Sequence, residues 1–347
     1  MTQLQKWIDQ LDQTNEKLSL KAEFQVVTPM FIGDGEQKAD SIRPPAIKGA
    51  LRFWWRALNW SRCLQQAGNE TSALKQLHDE EAMLFGLAAK LDAQGNQEGG
   101  QGLFTLKVQQ PAGFKTINDW PKDGNSPCGF LGFGLWKTNK DPQREAIPED
   151  VIFKINLSFK SKVSVEQKQQ LRDALAVFGL LGGLGSRARR GFGSIALTRL
   201  DDASYQFKNK DEYIKALKQH LPNLDADSAK DWHKAPVTCW SSKSALVYYG
   251  QDNLARKALD ILNTTYKEIR GGMQQSQKAR FGLPLAKFDP KNRRSSPFIM
   301  HIHPIGQEFV ALTSILPAAF HHEYDLSQSE IEQPLSRLKQ AAREQWL

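Results

Sequence analysis

The sequence is poor in the features that mark secreted, membrane-spanning and metal-binding proteins. Its 347 residues include only three cysteines, Cys63, Cys128 and Cys239, which lie far apart and follow no metal-ligand spacing. A disulfide framework is therefore not expected, and a reducing cytoplasm fits this composition. The N-terminal residues are polar and include acids, and no run approaches the roughly 20 consecutive apolar residues of a membrane span. We expect neither a signal peptide nor a transmembrane helix.

Sequence motifs of common catalytic sites are also missing. G-x-S-x-G, H-E-x-x-H and the phosphate-binding G-K-[ST] do not occur, and no pattern of paired carboxylates is present. His301 and His303 would share one face of a strand, which suits zinc, but no acid or cysteine converges on them in the sequence. The sequence therefore predicts no metal, no cofactor and no catalytic residue. General acid chemistry on RNA by His78, His301 or His303 stays an alternative.

Positive charge is in moderate excess, with 46 Lys and Arg residues against 38 Asp and Glu residues and a net charge of +8. Such an excess is compatible with nucleic-acid binding but does not require it. Its distribution is more informative, because cations concentrate in three stretches of the chain.

The first basic stretch, Ser41 to Trp60, predicts an amphipathic helix. Pro44 and Pro45 suit the first helical turn, where a missing N–H costs nothing. Apolar residues then recur at intervals of three and four, which is the pattern of a buried helix face. These residues are Ile47, Leu51, Trp54 and Leu58.

A row of cations runs beside this apolar face. Lys48, Arg52 and Arg56 recur at intervals of four, so neighbouring charges repel by about 0.2–0.5 kcal/mol per pair. No carboxylate lies between Asp40 and Glu70 to neutralise them locally. We therefore expect an anion from outside the chain, most commonly a nucleic-acid backbone, although a solvated basic face is the alternative. The adjacent tryptophans point about 100° apart on a helix, so one is expected in the core while the other faces a partner.

The second stretch, Gly179 to Gly193, contains six glycines in fifteen residues together with three arginines. It follows a predicted helix and precedes a predicted strand, which is the reverse of the order in a dinucleotide-binding turn. Glycines let backbone N–H groups approach an anion, and arginines supply forked donors that match phosphate oxygens. We predict phosphate contact here. The alternative is a tight connection with exposed arginines.

The third stretch, Lys287 to Arg294, is a basic segment that alone is typical of a solvated loop. Phe281 and Phe288 nearby are expected either to stack on bases or to pack in the core.

Hydrophobic periodicity predicts an α+β fold with two related halves. Strands are predicted over residues 18–27, 103–108, 151–159 and 194–200, a distorted strand over 129–136, and helices over 44–64 and 165–181. The core of this order, βαββαβ, is that of a ferredoxin-like unit. A second unit is predicted with strands at 245–249, 298–303 and 308–316, helices at 252–270 and 326–345, and a loop at 271–297. It shows no convincing fourth strand.

Two of the basic stretches together resemble a known family. Thr28 to Leu58, which reads TPMFIGDG and then SIRPPAIKGALRFWWRAL, is similar to the N-terminal signature of the first RAMP subunit of type III-B (Cmr) CRISPR effector complexes. Gly183 to Ile195, GLGSRARRGFGSI, is similar to the RAMP glycine-rich loop. RFGLP from Arg280 and RRSSPF from Arg293 resemble later motifs of the same family.

The resemblance implies two ferredoxin-like, RRM-related domains, which we place at residues 1–200 and 236–347 with a linker at 201–235. It implies a non-catalytic, cytoplasmic subunit of an antiviral ribonucleoprotein that contacts guide or target RNA near the 3′ end of the guide, and neighbouring RAMP subunits. The loop from Gly33 to Gly35 is a further candidate contact. The expected RNA-binding residues are Arg43, Lys48, Arg52, Trp55, Arg56, Gly183, Gly185, Arg187, Arg189, Arg190, Arg293 and Arg294.

Two other functions stay open. One is a metal-independent endoribonuclease that processes guide RNA, with a histidine as the general acid. The other is a structural adaptor whose basic stretches dock on acidic faces of partner subunits.

Overall fold

The computed structural model describes residues 18–33, 38–91, 97–138, 143–223, 235–285, 287–316, 318–324 and 326–347. Gly35 of the candidate loop and residues 224–234 of the expected linker lie outside these segments. No helix within the described segments is long and apolar enough to cross a membrane.

The first half of the chain is built on one antiparallel sheet. Its elements are β1 (Ser19–Val26), α1 (Pro44–Ala67), α2 (Glu70–Phe85), β2 (Gly86–Leu91), β3 (Gln97–Gln101), β4 (Phe104–Gln109), β5 (Ile152–Phe159), α3 (Val165–Leu181), β6 (Ile195–Leu200), β7 (Ala203–Ser204) and α4 (Lys210–Lys218). Five strands form the sheet in the order β4-β5-β1-β6-β7, and β2 and β3 form a separate hairpin. The strands predicted at 18–27, 103–108, 151–159 and 194–200 and the helices predicted at 44–64 and 165–181 therefore form close to their expected bounds.

Helices α1 and α3 pack against each other and against this sheet. Ile47 and Leu51 of α1 are completely buried, and burial of each contributes about 1.5–3 kcal/mol. Helix α3 begins with a capping box between Ser164 and Gln167. At Gly179 a Cβ atom would stand 2.5 Å from the Leu197 Cβ, so the absence of a side chain lets α3 approach β6.

The second half forms a smaller antiparallel sheet. Its elements are β8 (Ala245–Asp252), α5 (Ala255–Gly271), α6 (Gln275–Ala279), β9 (Leu283–Leu285), β10 (Asp289–Arg294), β11 (Phe298–Ile305), β12 (Glu308–Ile315), α7 (Gln328–Ala341) and β13 (Glu344–Gln345). The four-stranded sheet has the order β11-β12-β8-β13, and β9 pairs with β10 apart from it. The fold is therefore α+β with antiparallel sheets.

Three expectations about local structure are wrong. A fourth strand does exist in the second half, but β13 has only two residues, too few to produce an alternating pattern. The expected loop at 271–297 contains α6, β9 and β10. The apolar run at 129–136 forms turns instead of a strand, because Gly132 donates to the Cys128 carbonyl and Leu131 and Leu135, four residues apart, are both buried.

The two halves pack through strand β11. The Met300 N–H donates to the Arg189 carbonyl at 3.1 Å, and the Ile302 N–H donates to Ser194 Oγ at 3.1 Å. Helix α4, in the region expected to be a linker, is fixed to α3 because Tyr213 Oη donates to the Leu180 carbonyl at 2.7 Å.

Candidate nucleic-acid interface

The two motif stretches lie against each other in the fold. We call Gly179–Gly193 the glycine-rich loop. Its Ser186 N–H donates to the Phe31 carbonyl at 2.8 Å, and its Gly193 N–H donates to the Pro29 carbonyl at 2.9 Å. The backbone carbonyls of the TPMFIG segment, Thr28–Gly33, therefore support the glycine-rich loop.

Glycine is needed in this loop because protein backbone comes close to it. Gly185 has φ +89°, and a Cβ atom there would lie 2.6 Å from the Phe31 carbonyl oxygen. A Cβ atom at Gly183 would lie 2.7 Å from the Gly193 carbonyl oxygen. These contacts within the protein account for both glycines, and their contact with phosphate stays a prediction.

The row of cations on α1 has a carboxylate partner within the protein. Arg56 Nη1 lies 2.9 and 2.8 Å from the two carboxylate oxygens of Glu81 on α2, and Arg52 Nη1 lies 3.4 Å from one of them. Arg52 also donates to the Gly86 carbonyl. Arg52 and Arg56 therefore share one internal carboxylate, because α2 folds back on α1 and brings Glu81 to both. A single carboxylate balances one of the two positive charges, and contact of these arginines with RNA stays a prediction.

Lys48 lies at a cleft between α1 and the β2–β3 hairpin, which we call the helix cleft. The cleft measures about 540 Å³. Burial, followed by the charge of Arg52, lowers the pKa of Lys48, and its Nζ lies 5.7 Å from the ring centre of Phe104. No acidic side chain occurs among the described residues of the lining, which are Pro44, Pro45, Lys48, Arg52, Phe85, Gly86, Leu87, Ala88, Gly100, Gln101, Gly102, Phe104, Thr105 and Leu106.

Both tryptophans of the WW pair are core residues. Trp54 is 2% exposed and Trp55 is 0% exposed, and Trp55 Nε1 donates to Gln170 Oε1 at 3.2 Å. The prediction that Trp55 faces RNA is therefore wrong. The middle of the buried face of α1 lies between these two positions, so both side chains point into the core.

The arginines of the glycine-rich loop point in different directions. Arg189 points toward the second half, where its Nη1 donates to the Ser296 carbonyl at 2.6 Å and its guanidinium lies 4.4 Å from the ring centre of Phe53. Burial lowers the pKa of Arg189 to about 10. Arg187 and Arg190 line a different cleft.

This second cleft, which we call the loop cleft, measures about 500 Å³. Arg187 Nε donates to the Phe133 carbonyl at 2.8 Å, and Arg270 of α5 donates to Tyr266 Oη at 2.8 Å. Partial burial, followed by the charges of Arg190 and Arg144, lowers the pKa of Arg187. The described lining contains no acid and consists of Gly124, Asn125, Phe130, Leu131, Phe133, Trp136, Arg187, Arg190, Tyr266 and Arg270.

The remaining predicted arginines lie on strand β10 and at the start of α1. Arg294 donates to the Phe320 carbonyl at 2.5 Å, and burial, followed by the charge of Arg189, lowers its pKa to about 10. Arg293 is exposed and donates to the Pro290 carbonyl at 2.9 Å. Arg43 is also exposed and donates to the Gly33 carbonyl, close to the segment that supports the glycine-rich loop.

Two of the three histidines that are candidates for a general acid lie in the core. His301 is 0% and His303 is 1% exposed. His301 Nδ1 donates to the Gly182 carbonyl at 2.9 Å, so its Nε2 accepts from His303 Nδ1 at 3.0 Å. Burial lowers the pKa of His301 to about 3. Within the described segments, no three His, Cys, Asp or Glu side chains form a group that suits a metal ion.

Sequence reasoning missed three residues that shape the charge of this region. Arg270 lines the loop cleft, whereas Glu81 contacts the lining of the helix cleft and Arg144 contacts a residue next to the lining of the loop cleft. Glu81 comes 25 positions after Arg56, so only the packing of α2 on α1 brings the two together. Arg270 lies in the last turn of α5, and Arg144 Nη1 donates to Ser186 Oγ of the glycine-rich loop at 2.9 Å. No local pattern indicates either arginine.

The chain belongs to the RAMP superfamily, whose family model matches residues 23–196. It is 25% identical over 305 residues to the CRISPR system Cmr subunit Cmr1-1 of Pyrococcus furiosus, a match that covers 81% of this chain and 82% of that protein. The resemblance found in the motifs is therefore confirmed.

Solved structures show the same fold. The crystal structure of apo Cmr1 from Pyrococcus furiosus superposes with a TM-score of 0.61 at 19% identity, over 94% of this chain and 98% of that one. A chain in the cryo-EM structure of type III-B Cmr-beta bound to cognate target RNA superposes with a TM-score of 0.58 at 13% identity, over 93% and 99% of the two chains.

Proposed function

We propose that this protein is a non-catalytic RNA-binding subunit of a type III-B CRISPR ribonucleoprotein that acts in antiviral defence in the cytoplasm. It contacts guide or target RNA near the 3′ end of the guide, and it binds neighbouring RAMP subunits. Its similarity to Cmr1 and to a chain of a Cmr assembly bound to target RNA supports this role.

The observation that carries the proposal is the pair of cation-lined clefts. Lys48 lies in the helix cleft and Arg187 and Arg190 lie in the loop cleft, and neither described lining contains an acid. Clefts lined by charge of one sign concentrate counter-ions, and an RNA backbone is such a counter-ion. Arg144 donates to Ser186 of the glycine-rich loop and adds positive charge near Arg187 of the loop cleft. Arg43 is adjacent in sequence to Pro44, which lines the helix cleft.

We also propose that both halves are ferredoxin-like domains, at residues 1–200 and 236–347. Each half has the element order βαββαβ when the β2–β3 and β9–β10 hairpins, the additional helices α2, α4 and α6 and the short β7 are set aside. Each sheet places the second and third strands of the unit on one side of the first and the fourth on the other. The order of the strands in the two sheets supports this proposal, and the short β13 takes the position of the fourth strand in the second sheet.

The environments of two histidines argue against the endoribonuclease alternative. A general acid must reach the RNA, whereas His301 and His303 are buried and hydrogen-bonded to protein. His78 is exposed and lies 3.5 Å from Asp79, so it remains the histidine to test. Loss of metal-free cleavage of a repeat RNA in His78→Ala would support the enzyme.

Charge reversal tests RNA binding against the adaptor alternative. Lys48→Glu and Arg187→Glu place a negative charge in each cleft, and Lys162→Glu makes the same change at an exposed turn before α3. Binding of the full chain to single-stranded RNA is measured over a series of salt concentrations. We expect each cleft variant to weaken binding and to reduce the salt slope by about 0.7 per lost phosphate contact, with no change in Lys162→Glu. Unchanged RNA binding with failed assembly of the complex would establish the adaptor.

A further inference from the structure

The loop cleft combines cations with an exposed aromatic side chain. Phe133 is 70% exposed, although large apolar side chains are normally covered. Its ring meets that of Trp136 edge to face at 5.5 Å. Gly134 follows with φ +85°, and the Arg187 guanidinium lies 3.5 Å from where its Cβ would stand. This turn therefore presents an aromatic ring beside a guanidinium group.

Among the residues that the structure describes, the guanidinium groups of the loop cleft have no carboxylate partners. Arg190 lies over the Tyr266 ring at 4.5 Å, and Arg270 holds the hydroxyl of the same tyrosine. Across the described segments, Arg187, Arg190 and Arg270 take part in no ion pair, whereas arginines such as Arg56 are paired with acids. Three fixed cations at one opening favour an anion with several oxygens, such as a phosphate group.

The volume of the cleft matches a small ligand or a single nucleotide. About 500 Å³ falls within the range of about 300–1,000 Å³ that is typical of small-molecule pockets. Protein sites for single-stranded RNA combine a basic groove with aromatic rings on which bases stack. The loop cleft has both components within one opening.

We propose that the loop cleft holds one unpaired nucleotide of the bound RNA strand. Its base stacks on Phe133 beside Trp136, and its phosphate is held by Arg187, Arg190 and Arg270. This proposal rests on the proposed RNA-binding function and adds to it a specific slot. It assigns Phe133 and Arg270, on elements distant in sequence, to a single nucleotide.

The test uses the full chain and a short single-stranded oligouridylate that carries 2-aminopurine at one position in turn. We expect Phe133→Ala to weaken binding about five-fold or more, the usual effect of losing a base–aromatic stack. We expect 2-aminopurine fluorescence to change on binding to the wild type and to Phe133→Tyr, which keeps the ring, but not on binding to Phe133→Ala. Leu254→Ala removes another exposed apolar side chain, at the N-terminus of α5, and is expected to change neither signal.

The outcomes separate this proposal from the function on which it rests. If Lys48→Glu weakens RNA binding while Phe133→Ala changes neither affinity nor fluorescence, the protein binds RNA and the nucleotide slot is refuted. If the wild type does not bind the oligonucleotide, the RNA-binding function itself fails, and if it binds but neither variant changes binding, the assignment of RNA to both clefts is refuted. A free nucleoside 5′-monophosphate is the competing source of the same chemistry. Its binding as tightly as the oligonucleotide, with the same dependence on Phe133, would overturn the assignment to a strand.

Discussion

Replacing Glu81 by glutamine tests the ion pairs between the Glu81 carboxylate and the α1 arginines Arg52 and Arg56. The Glu81 side chain is 11% exposed, and both of its carboxylate oxygens accept hydrogen bonds from Arg56, at 2.8 and 2.9 Å. A glutamine side chain would keep one acceptor oxygen but turn an amide toward a guanidinium group. Hydrogen bonds to charged groups contribute about 1.5–3 kcal/mol, so we expect Glu81→Gln to lower the free energy of unfolding by about that amount. Chemical denaturation of the full chain measures this loss.

The same change is expected to strengthen RNA binding. Arg52 and Arg56 are 31% and 36% exposed in their side chains, so a strand at the surface can reach them once the carboxylate charge is gone. Each additional phosphate contact steepens the salt slope by about 0.7, so two released arginines steepen it by up to about 1.4. A variant that is less stable yet binds RNA more tightly would be difficult to explain by general damage to the fold.

Glu80→Gln is the matched control. Glu80 is the adjacent residue on α2 and pairs with Arg62, which does not line the helix cleft. We expect a loss of stability in this variant without a change in the salt slope. An unchanged slope in Glu81→Gln as well would show that RNA does not pass over this part of α1, and unchanged stability would show that the Glu81 pair contributes little.

Three further predictions follow from single residues. A Cβ atom at Gly49 of α1 would meet nothing within 4 Å, so Gly49→Ala should stabilise the free protein by about 0.5–1 kcal/mol in thermal unfolding. A loss of stability would contradict this expectation. Weaker RNA binding by this variant would indicate that the RNA strand passes over α1. Gly185→Ala should cost about 2 kcal/mol or more, since φ is +89° and the Phe31 carbonyl is too close for a Cβ; near-wild-type stability would show that the loop can move. His301 has a folded pKa of about 3 against an ordinary 6.5, so between these values the unfolded chain binds the proton first and stability falls as the pH falls. At pH 5 this amounts to about 2 kcal/mol, and a His301→Gln variant should show a flatter pH dependence of unfolding.

Local features of the fold could be predicted from the sequence because their causes are local. The bounds of α3 follow from its periodicity and from the Ser164 cap, and the alternation of β5 follows from one buried face. Helical periodicity and strand alternation were enough to predict the order of these elements along the chain. The short β13 escaped prediction because two residues carry no period.

The sequence by itself determined the α+β order, the basic character of α1 and the motifs that mark a RAMP protein. Only the tertiary structure decided which cations are available to a ligand, because that depends on which distant residues meet. Glu81 reaches Arg56 across 25 positions, Arg189 enters the contact between the two halves, and Arg187 joins Arg270 in an opening without acids among its described residues. Charge in a sequence is a sum over residues, whereas charge at a site depends on the partners that packing brings within hydrogen-bond distance.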